Sequence, residues 1–218
     1  MKRLFFLIIL VIFSFSSRAW ENRNLLQQNA DQVKLKASLI LNQQWVTYPR
    51  YSDRAAWDVL TSGVKDEIIR KGENALSYEW KVIKATDYLE YERSGSRKAM
   101  EDPFGSNNAA LSNLVLAELA EGKGRFIDQI INGIWQSCEM TSWALSAHLK
   151  GAQKEPGALP SYQENVIDLT SGDLGSFFAW TWFLLKDELD KVNPLVSKRL
   201  RMNLQERILD PYMNRSDF

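Results

Sequence analysis

The residues best suited to chemistry or recognition lie together in residues 121–148, EGKGRFIDQIINGIWQSCEMTSWALSAH. This stretch contains His148, the only histidine of the chain, and Cys138, the only cysteine. An imidazole exchanges protons near neutral pH, so any imidazole role falls to His148. Trp143 offers an aromatic face for stacking, and Glu139 offers a carboxylate four residues before it. The combination predicts the wall of a pocket, with Trp143, His148 and Glu139 as candidate binding residues.

Each candidate also has a structural interpretation. His148 either faces a cavity, where it binds a ligand or tunes a neighbouring base, or holds the loop that follows Trp143. Trp143 either stacks on a ligand or packs inside the protein. Glu139 is either a cavity acid or a solvated or capping residue. Trp135 lies on the apolar stripe of the same helix and is predicted to belong to the core.

The composition argues against a metal or thiol site. One histidine and one cysteine do not supply the usual ligand set, so no metal site and no cofactor are expected. Cys138 lies on the apolar helical face and has no partner for an internal disulfide. It is therefore predicted to be a buried, unreactive thiol.

Other polar residues are assigned to helix ends and surface. Asp168 and Asp173 precede an apolar helix and are predicted to cap its N-terminus. Tyr48, Arg50 and Tyr51 form a polar aromatic cluster, interpreted as a surface loop, with substrate contact as the alternative. A glycosidase needs two opposed carboxylates, and no convincing pair of acids is evident.

The N-terminus predicts export. Residues 1–19 combine a basic start, a ten-residue apolar core and the small residues Ser17 and Ala19 at −3 and −1 of a cleavage site. This pattern is typical of a cleaved signal peptide, with a signal anchor as the alternative. Removing them takes away Lys2, Arg3 and Arg18 and no acid, which leaves 24 basic and 27 acidic residues and a net charge of −3. Bulk charge therefore does not favour nucleic acid as a partner. The mature chain, 20–218, is expected to be periplasmic or secreted, with no stable membrane anchor.

The apolar periodicity predicts an all-α protein, since almost no segment alternates with a period of two. Helices are predicted over about 31–41, 64–78, 85–92, 107–120, 173–189 and 194–210, and a short helix through 55–60 is predicted to be capped by Ser52 or Asp53. A further helix is predicted to start near Phe126, to run into Ser142-Trp143 and to end near His148. Residues 93–105 and 150–165 are predicted to be loops. Short breaks between helices favour antiparallel pairs. Several helices are apolar around most of their circumference, which predicts inner helices covered by outer ones.

Three stretches together resemble one family. They are QQWVTYPRYSDRAAW (43–57), residues 121–148 given above, and NVIDLTSGDLGSFFAWTWFLLKDELDKVNPLVSKRLRMNLQERILDPY (165–212). In this order they resemble the N-terminal part of heparinase II/III-like polysaccharide lyases. The resemblance covers nearly all of the mature chain, and its most specific pieces are the Gly-Lys-Gly-Arg-Phe start and the Glu…Ser-Trp…Ala-His end of the second stretch.

The resemblance implies a partial (α/α) toroid of antiparallel helix pairs that acts on acidic polysaccharide, often a glycosaminoglycan, by β-elimination. It also implies that the helical domain continues and that a β-sandwich follows. The catalytic tyrosine and histidine of such lyases are expected beyond Phe218, so this part alone is expected to be inactive. In that setting Trp143, His148 and Glu139 become candidate sugar-binding residues. The alternatives are a non-catalytic glycan-binding helical module and, ranked last, a glycosidase on the same scaffold. The sequence leaves the oligomeric state open.

Overall fold

The computed structural model describes residues 28–40 and 46–214. The predicted signal peptide, 1–19, lies outside the described residues. The chain divides into two compact units, Met1–Thr47 with Ser216–Phe218, and Tyr48–Arg215. In the first unit, helix α1 spans Gln32–Ser38, and the Asp31 carboxylate caps it by accepting from the Val33 and Lys34 amides. None of its residues is buried.

The described part of the second unit is helical. Its elements are α2 (Arg54–Leu60), α3 (Lys65–Ala75), α4 (Ala85–Ser94), α5 (Lys98–Glu121), α6 (Ile127–Glu139), α7 (Ser146–Leu149), α8 (Leu169–Val192), α9 (Pro194–Leu204), a π-helix (Gln205–Leu209) and α10 (Asp210–Asn214). The all-α prediction is therefore confirmed for the described residues. Their arrangement as part of a ring stays a prediction.

The core is built around α5 and α6. Helix α5 packs against α3 and α6, and α9 packs against both α8 and α6. Helix α6 buries one face, as its apolar stripe predicts, and α5 is buried on most sides. The largest fully buried side chains include Phe126, Phe178, Met100, Leu111, Ile130 and Ile134.

The predicted loop 93–105 is largely wrong, because α5 already begins at Lys98. The turn signals there are real, since Gly95 has a φ of 75° and ends α4. However, Met100 and Phe104 are buried in the core, and that burial outweighs the local preference for a turn. Pro103 lies in the second turn of α5, where it removes the one hydrogen bond that an amide there would donate to the Ala99 carbonyl.

Two further helix boundaries differ from prediction. Helix α8 begins at Leu169, one turn earlier than predicted, so Asp168 is its cap and Asp173 lies inside it. The last helix does not stop at Asp210; it widens into the π-helix and restarts as α10, where Pro211 occupies an early position that needs no amide donor. Among the described residues, no helix has both the length and the apolarity required to cross a membrane.

Candidate functional site

The start of α6 is organised by a buried carboxylate from the preceding helix. Glu118 of α5 has no solvent exposure, and its oxygens accept from the Gly124 amide at 2.7 Å and the Phe126 amide at 3.1 Å. The Tyr51 hydroxyl donates to it as well. Amides at a helix N-terminus otherwise lack partners, so the carboxylate stabilises the beginning of α6.

Sequence reasoning missed Glu118. The sequence feature that could have identified it is an acidic residue inside an otherwise apolar helix, just before the Gly-Lys-Gly break.

Arg54 fastens the end of α5 to the same junction. Its guanidinium donates to the Ala120 carbonyl at 3.2 Å, to the Leu119 carbonyl, and to the Tyr51 carbonyl at 2.7 Å. Burial and the bond to Glu118 raise the pKa of the Tyr51 phenol. Tyr51 and Arg54, both in the first of the three stretches, therefore have structural roles in this junction.

At the other end of α6, Glu139 is an exposed ion-pair partner. Its Oε1 accepts from the Arg199 guanidinium at 2.8 Å, and that guanidinium lies 4.0 Å from the centre of the Trp135 ring. Trp135 is 41% exposed, so the prediction that it belongs to the core is wrong. Its ring lies under the Arg199 guanidinium instead.

Trp143 is buried, so the prediction that it offers a stacking face needs correction. Only 2% of its surface is exposed. The indole N–H donates to the Ser137 carbonyl at 2.9 Å, and the ring centre lies 5.3 Å from that of Phe178. The chain turns back after α6 and carries the indole into the core, which leaves no face for a ligand. The packing interpretation of Trp143 is therefore the one that the contacts support.

Arg207 closes the end of α6 from the π-helix. Its guanidinium donates to the carbonyls of Met140 at 2.6 Å, Thr141 at 3.1 Å and Cys138 at 3.4 Å, and it lies 5.2 Å from the Trp143 ring centre. These carbonyls are the ones that a helix end leaves without partners. Burial lowers the pKa of Arg207. The cation is positioned to stabilise the negative end of α6.

His148 is joined to the cap of α8. Its Nδ1 lies 2.6 Å from Oδ2 of Asp168, which also accepts from the Leu145 amide at 3.0 Å, while Oδ1 accepts from the Ser171 amide at 2.7 Å. Burial acts to raise the pKa of Asp168, but these hydrogen bonds outweigh it and hold the pKa below its ordinary value. An ionised carboxylate only accepts, so Nδ1 of His148 donates the hydrogen of this bond.

The capping role predicted for Asp168 is confirmed, and the one predicted for Asp173 is wrong. The structural interpretation of His148 is supported by these contacts, because Asp168 ties the histidine to the segment after Trp143. A role for Nε2 of His148 in ligand binding stays a prediction.

A cavity of about 330 Å³ lies beside the end of α6. Its walls come from the start of α4, the residues around the α6 terminus and the loop before α8: Ile83, Ala85, Tyr88, Glu139, Met140, Thr141, Leu159, Pro160 and Tyr162. Of the three candidate residues, only Glu139 lies in this lining. The predicted pocket wall at the end of α6 therefore exists, but Trp143 and His148 do not form it.

Cys138 is buried, as predicted, and burial raises the pKa of its thiol to about 11. Within residues 28–40 and 46–214, no group of three or more histidine, cysteine, aspartate or glutamate side chains is arranged to hold a metal ion.

A scan against models of known protein families finds no match to this chain, and a search of the curated proteins finds none either. The all-α class rests on the structure. The family resemblance rests on the three sequence stretches alone.

Proposed function

We propose that this chain is the N-terminal helical part of an exported lyase that cleaves uronate-containing acidic polysaccharide by β-elimination. The proposal follows the resemblance of residues 43–57, 121–148 and 165–212 to heparinase II/III-like polysaccharide lyases. One observation supports it: hydrogen bonds and an ion pair connect the described residues of the second and third stretches around the end of α6, next to a cavity.

The contacts between these two stretches are specific. Asp168 of the third binds His148 of the second, Arg199 pairs with Glu139, and Arg207 covers the carbonyls at the end of α6. Residues of the first stretch join α5 just before the second, through Tyr51 and Arg54. The described residues of the motifs that carry the resemblance therefore contact one another or the helix beside them, as parts of one domain do.

β-Elimination at a uronic acid needs three groups. One neutralises the sugar carboxylate, a base removes the proton next to it, and an acid protonates the leaving oxygen. The resemblance assigns the base and acid to a tyrosine and a histidine beyond Phe218. The part described here then supplies binding surface: Glu139 at the cavity, and His148, whose Nε2 is available to bind a sugar hydroxyl or to tune the base.

The test is a lyase assay on the product of a reading frame extended past Phe218. We expect ultraviolet absorbance from unsaturated uronate with at least one of heparan sulfate, chondroitin sulfate, hyaluronan and alginate. The matched control is the same polymer with its uronate carboxyls reduced to alcohols, which removes the acidity of the adjacent proton and should abolish the signal. No absorbance from any of the four native polymers contradicts the proposal.

A non-catalytic glycan-binding module is the second candidate. It requires only a binding surface, and among the described residues the one histidine, His148, is bonded to Asp168 and does not line the cavity. In affinity electrophoresis such a module would be retarded by a polysaccharide that it never cleaves. Retardation of the extended protein together with a negative lyase assay would select this candidate.

A further inference from the structure

The chain between α7 and α8 forms a compact loop beside the cavity. Residues 154–162, which we call the cavity loop, begin and end close together, because the Lys154 amide donates to the Glu164 carboxylate. Three residues of this loop line the cavity: Leu159, Pro160 and Tyr162. Compact loops whose ends are close together are frequently functional. The position of the cavity loop therefore determines the shape of one cavity wall.

The cavity loop is held in shape by one side chain at its centre. Gln153 is 8% exposed, and its side-chain nitrogen donates to the Gly157 carbonyl at 3.1 Å and to the Leu159 carbonyl at 2.8 Å. Its side-chain oxygen accepts from the Ser161 amide at 3.0 Å. A buried amide side chain whose hydrogen bonds all end in one loop stabilises the conformation of that loop. The cavity loop is therefore able to keep its conformation without support from the helices around it.

The cavity loop is attached to the rest of the protein by few contacts. Ala158 is its only buried residue, and an alanine buries little apolar surface. Within the part of the chain that the structure describes, the loop makes one hydrogen bond to a residue outside 153–164, which the Ala158 amide donates to the Glu92 carboxylate. Segments with few buried contacts open at a low free-energy cost. This hydrogen bond is therefore the main polar attachment of the loop.

Glu92 reaches the cavity loop from a helix that forms another cavity wall. It lies one turn after Tyr88 on α4, and both Tyr88 and Ala85 line the cavity. Gly157 of the loop has a φ of 102°, and a Cβ there would lie 2.5 Å from Oε1 of Glu92. A residue without a side chain permits this close approach. The hydrogen bond to Glu92 therefore fixes the separation of two cavity walls, α4 and the loop.

We propose that the cavity loop is a lid that moves as one body about its root, residues 153 and 163–164, and that the hydrogen bond between the Ala158 amide and Glu92 is its latch. With the latch closed, the cavity has its volume of about 330 Å³. When the latch opens, Gln153 preserves the conformation of the lid while the three lining residues move away from α4. The cavity then admits a molecule too large for its closed entrance.

The test measures access to the cavity in the full chain by NMR of methionine methyl groups, with a soluble uncharged nitroxide as the probe. Met140 lines the cavity and is 8% exposed, whereas Met100 is fully buried in the core. We expect Glu92→Ala to raise the paramagnetic relaxation of the Met140 methyl at least about threefold, because an open lid admits the nitroxide. The relaxation of the Met100 methyl should not change.

Amide hydrogen exchange distinguishes movement of an intact lid from unfolding of the loop. In Glu92→Ala the Ala158 amide should exchange at least about tenfold faster, because it loses a charged acceptor. The Ser161 amide, which is bonded to Gln153, should stay within about twofold of its wild-type rate. Gln153→Ala should instead accelerate exchange of the Ser161 amide.

Two further variants on α4 are matched controls. Glu92→Gln keeps an acceptor oxygen, so its Met140 relaxation should be closer to that of wild type than to that of Glu92→Ala. Glu90→Ala removes an acid of the same helix that does not bond to the loop, and it should leave Met140 unchanged. Glu92 is an exposed surface residue, so its substitution should leave the helices intact, and circular dichroism verifies this.

Three results would overturn the proposal. They are an unchanged Met140 methyl in Glu92→Ala, a Ser161 amide that loses its protection together with Ala158, and equal effects of Glu90→Ala and Glu92→Ala. The first would mean that the loop stays in place without the latch, and the second would mean that it unfolds. No polysaccharide is used in these measurements, so failure of the proposed function and failure of the lid are distinguishable.

Discussion

Asp168 is the residue on which the surroundings of His148 depend. One of its oxygens caps α8 through the Ser171 amide, and the other accepts from both the Leu145 amide and His148. A single carboxylate thus connects the start of α8 to the start of α7. The histidine is oriented by a group that the helix already requires.

Removing this carboxylate should be costly. We expect Asp168→Ala to lower the free energy of unfolding by about 2–4 kcal/mol, because it removes an N-cap and leaves a buried amide without its acceptor. Asp173→Ala, at an exposed position of the same helix, should change it by less than about 0.5 kcal/mol. Urea unfolding followed by circular dichroism measures both. Equal effects of the two substitutions would contradict the role assigned to Asp168.

The same carboxylate should contribute to acid sensitivity. The pKa of Asp168 is held below its ordinary value in the folded chain, so its stabilisation is present above the unfolded pKa, about 3.9, and is lost as the pH falls through the lower folded pKa. We therefore expect the stability difference between wild type and Asp168→Asn to shrink in strong acid. A difference that is the same at neutral and strongly acidic pH, measured by urea unfolding, would refute this.

At the scale of elements, the junction between α5 and α6 depends on two glycines with positive φ. Gly122 ends α5 at φ 69° and Gly124 has φ 78°. A Cβ on Gly122 would lie 2.4 Å from the Arg54 guanidinium carbon, whereas a Cβ on Gly124 would meet nothing within 4 Å. Both positions carry the same backbone strain, but only one carries a steric conflict.

We expect Gly124→Ala to cost about 1–2 kcal/mol, which is the strain of a left-handed alanine. Gly122→Ala should cost more, since Arg54 must also give up its bonds to the end of α5. In an Arg54→Ala background this excess should disappear. Chemical denaturation of Gly124→Ala, Gly122→Ala, Arg54→Ala and the double variant Arg54→Ala/Gly122→Ala measures this coupling. If the extra cost of Gly122→Ala persists without Arg54, the clash with Arg54 does not cause it.

Substitutions at a second pair of glycines, Gly72 and Gly105, distinguish the effect of helix propensity from the effect of helix packing. Gly72 lies where α3 crosses α5, and a Cβ there would lie 2.2 Å from the Cβ of Ala117. Gly105 lies on an exposed part of α5 with nothing within 4 Å. The close approach explains why α3 continues through a residue that weakens isolated helices.

Substitution by alanine should therefore have opposite effects at these two positions. Gly105→Ala is expected to stabilise by about 0.5–1 kcal/mol through higher helix propensity. Gly72→Ala is expected to destabilise by about 1–3 kcal/mol, because overpacking exceeds the same gain. Thermal and urea unfolding report both signs, and stabilisation by Gly72→Ala would mean that α3 and α5 are farther apart than described.

At the scale of the whole molecule, Cys138 is a built-in reporter of unfolding. It is the only cysteine of the chain, it is buried between α6 and its neighbours, and burial raises its pKa to about 11. Few thiolates exist at mildly alkaline pH, and the buried sulfur is out of reach of a reagent. Modification therefore requires that the core opens.

We expect an aromatic disulfide reagent to modify the native protein at least about a hundredfold more slowly than the urea-unfolded chain. The modification rate should rise with urea in parallel with the loss of helical circular dichroism. Rapid modification of the native protein, while its helical signal is intact, would place the thiol at an accessible surface.

The sequence by itself determined the features that depend on local order. Apolar periodicity predicted the helical class, the buried face of α6 and the burial of Cys138, because a helix turns its side chains at a constant angle. Asp168 was predicted as a cap from its place before an apolar segment. The helical class and these two residues are confirmed in the described residues; the ring arrangement and the lyase resemblance stay predictions.

Tertiary structure alone decided which side chains became buried or exposed at the ends of elements. Apolar periodicity predicts which face of a helix is buried but not which neighbour covers it. It therefore left Trp143 open between stacking on a ligand and packing inside the protein, and it wrongly predicted that Trp135 belongs to the core. The residues that decided this, Phe178, Arg199 and Arg207, come from distant parts of the chain. For the same reason the sequence predicted a pocket wall in residues 121–148 but did not predict which residues line the cavity beside Glu139. Two of the three segments that line it are remote in sequence.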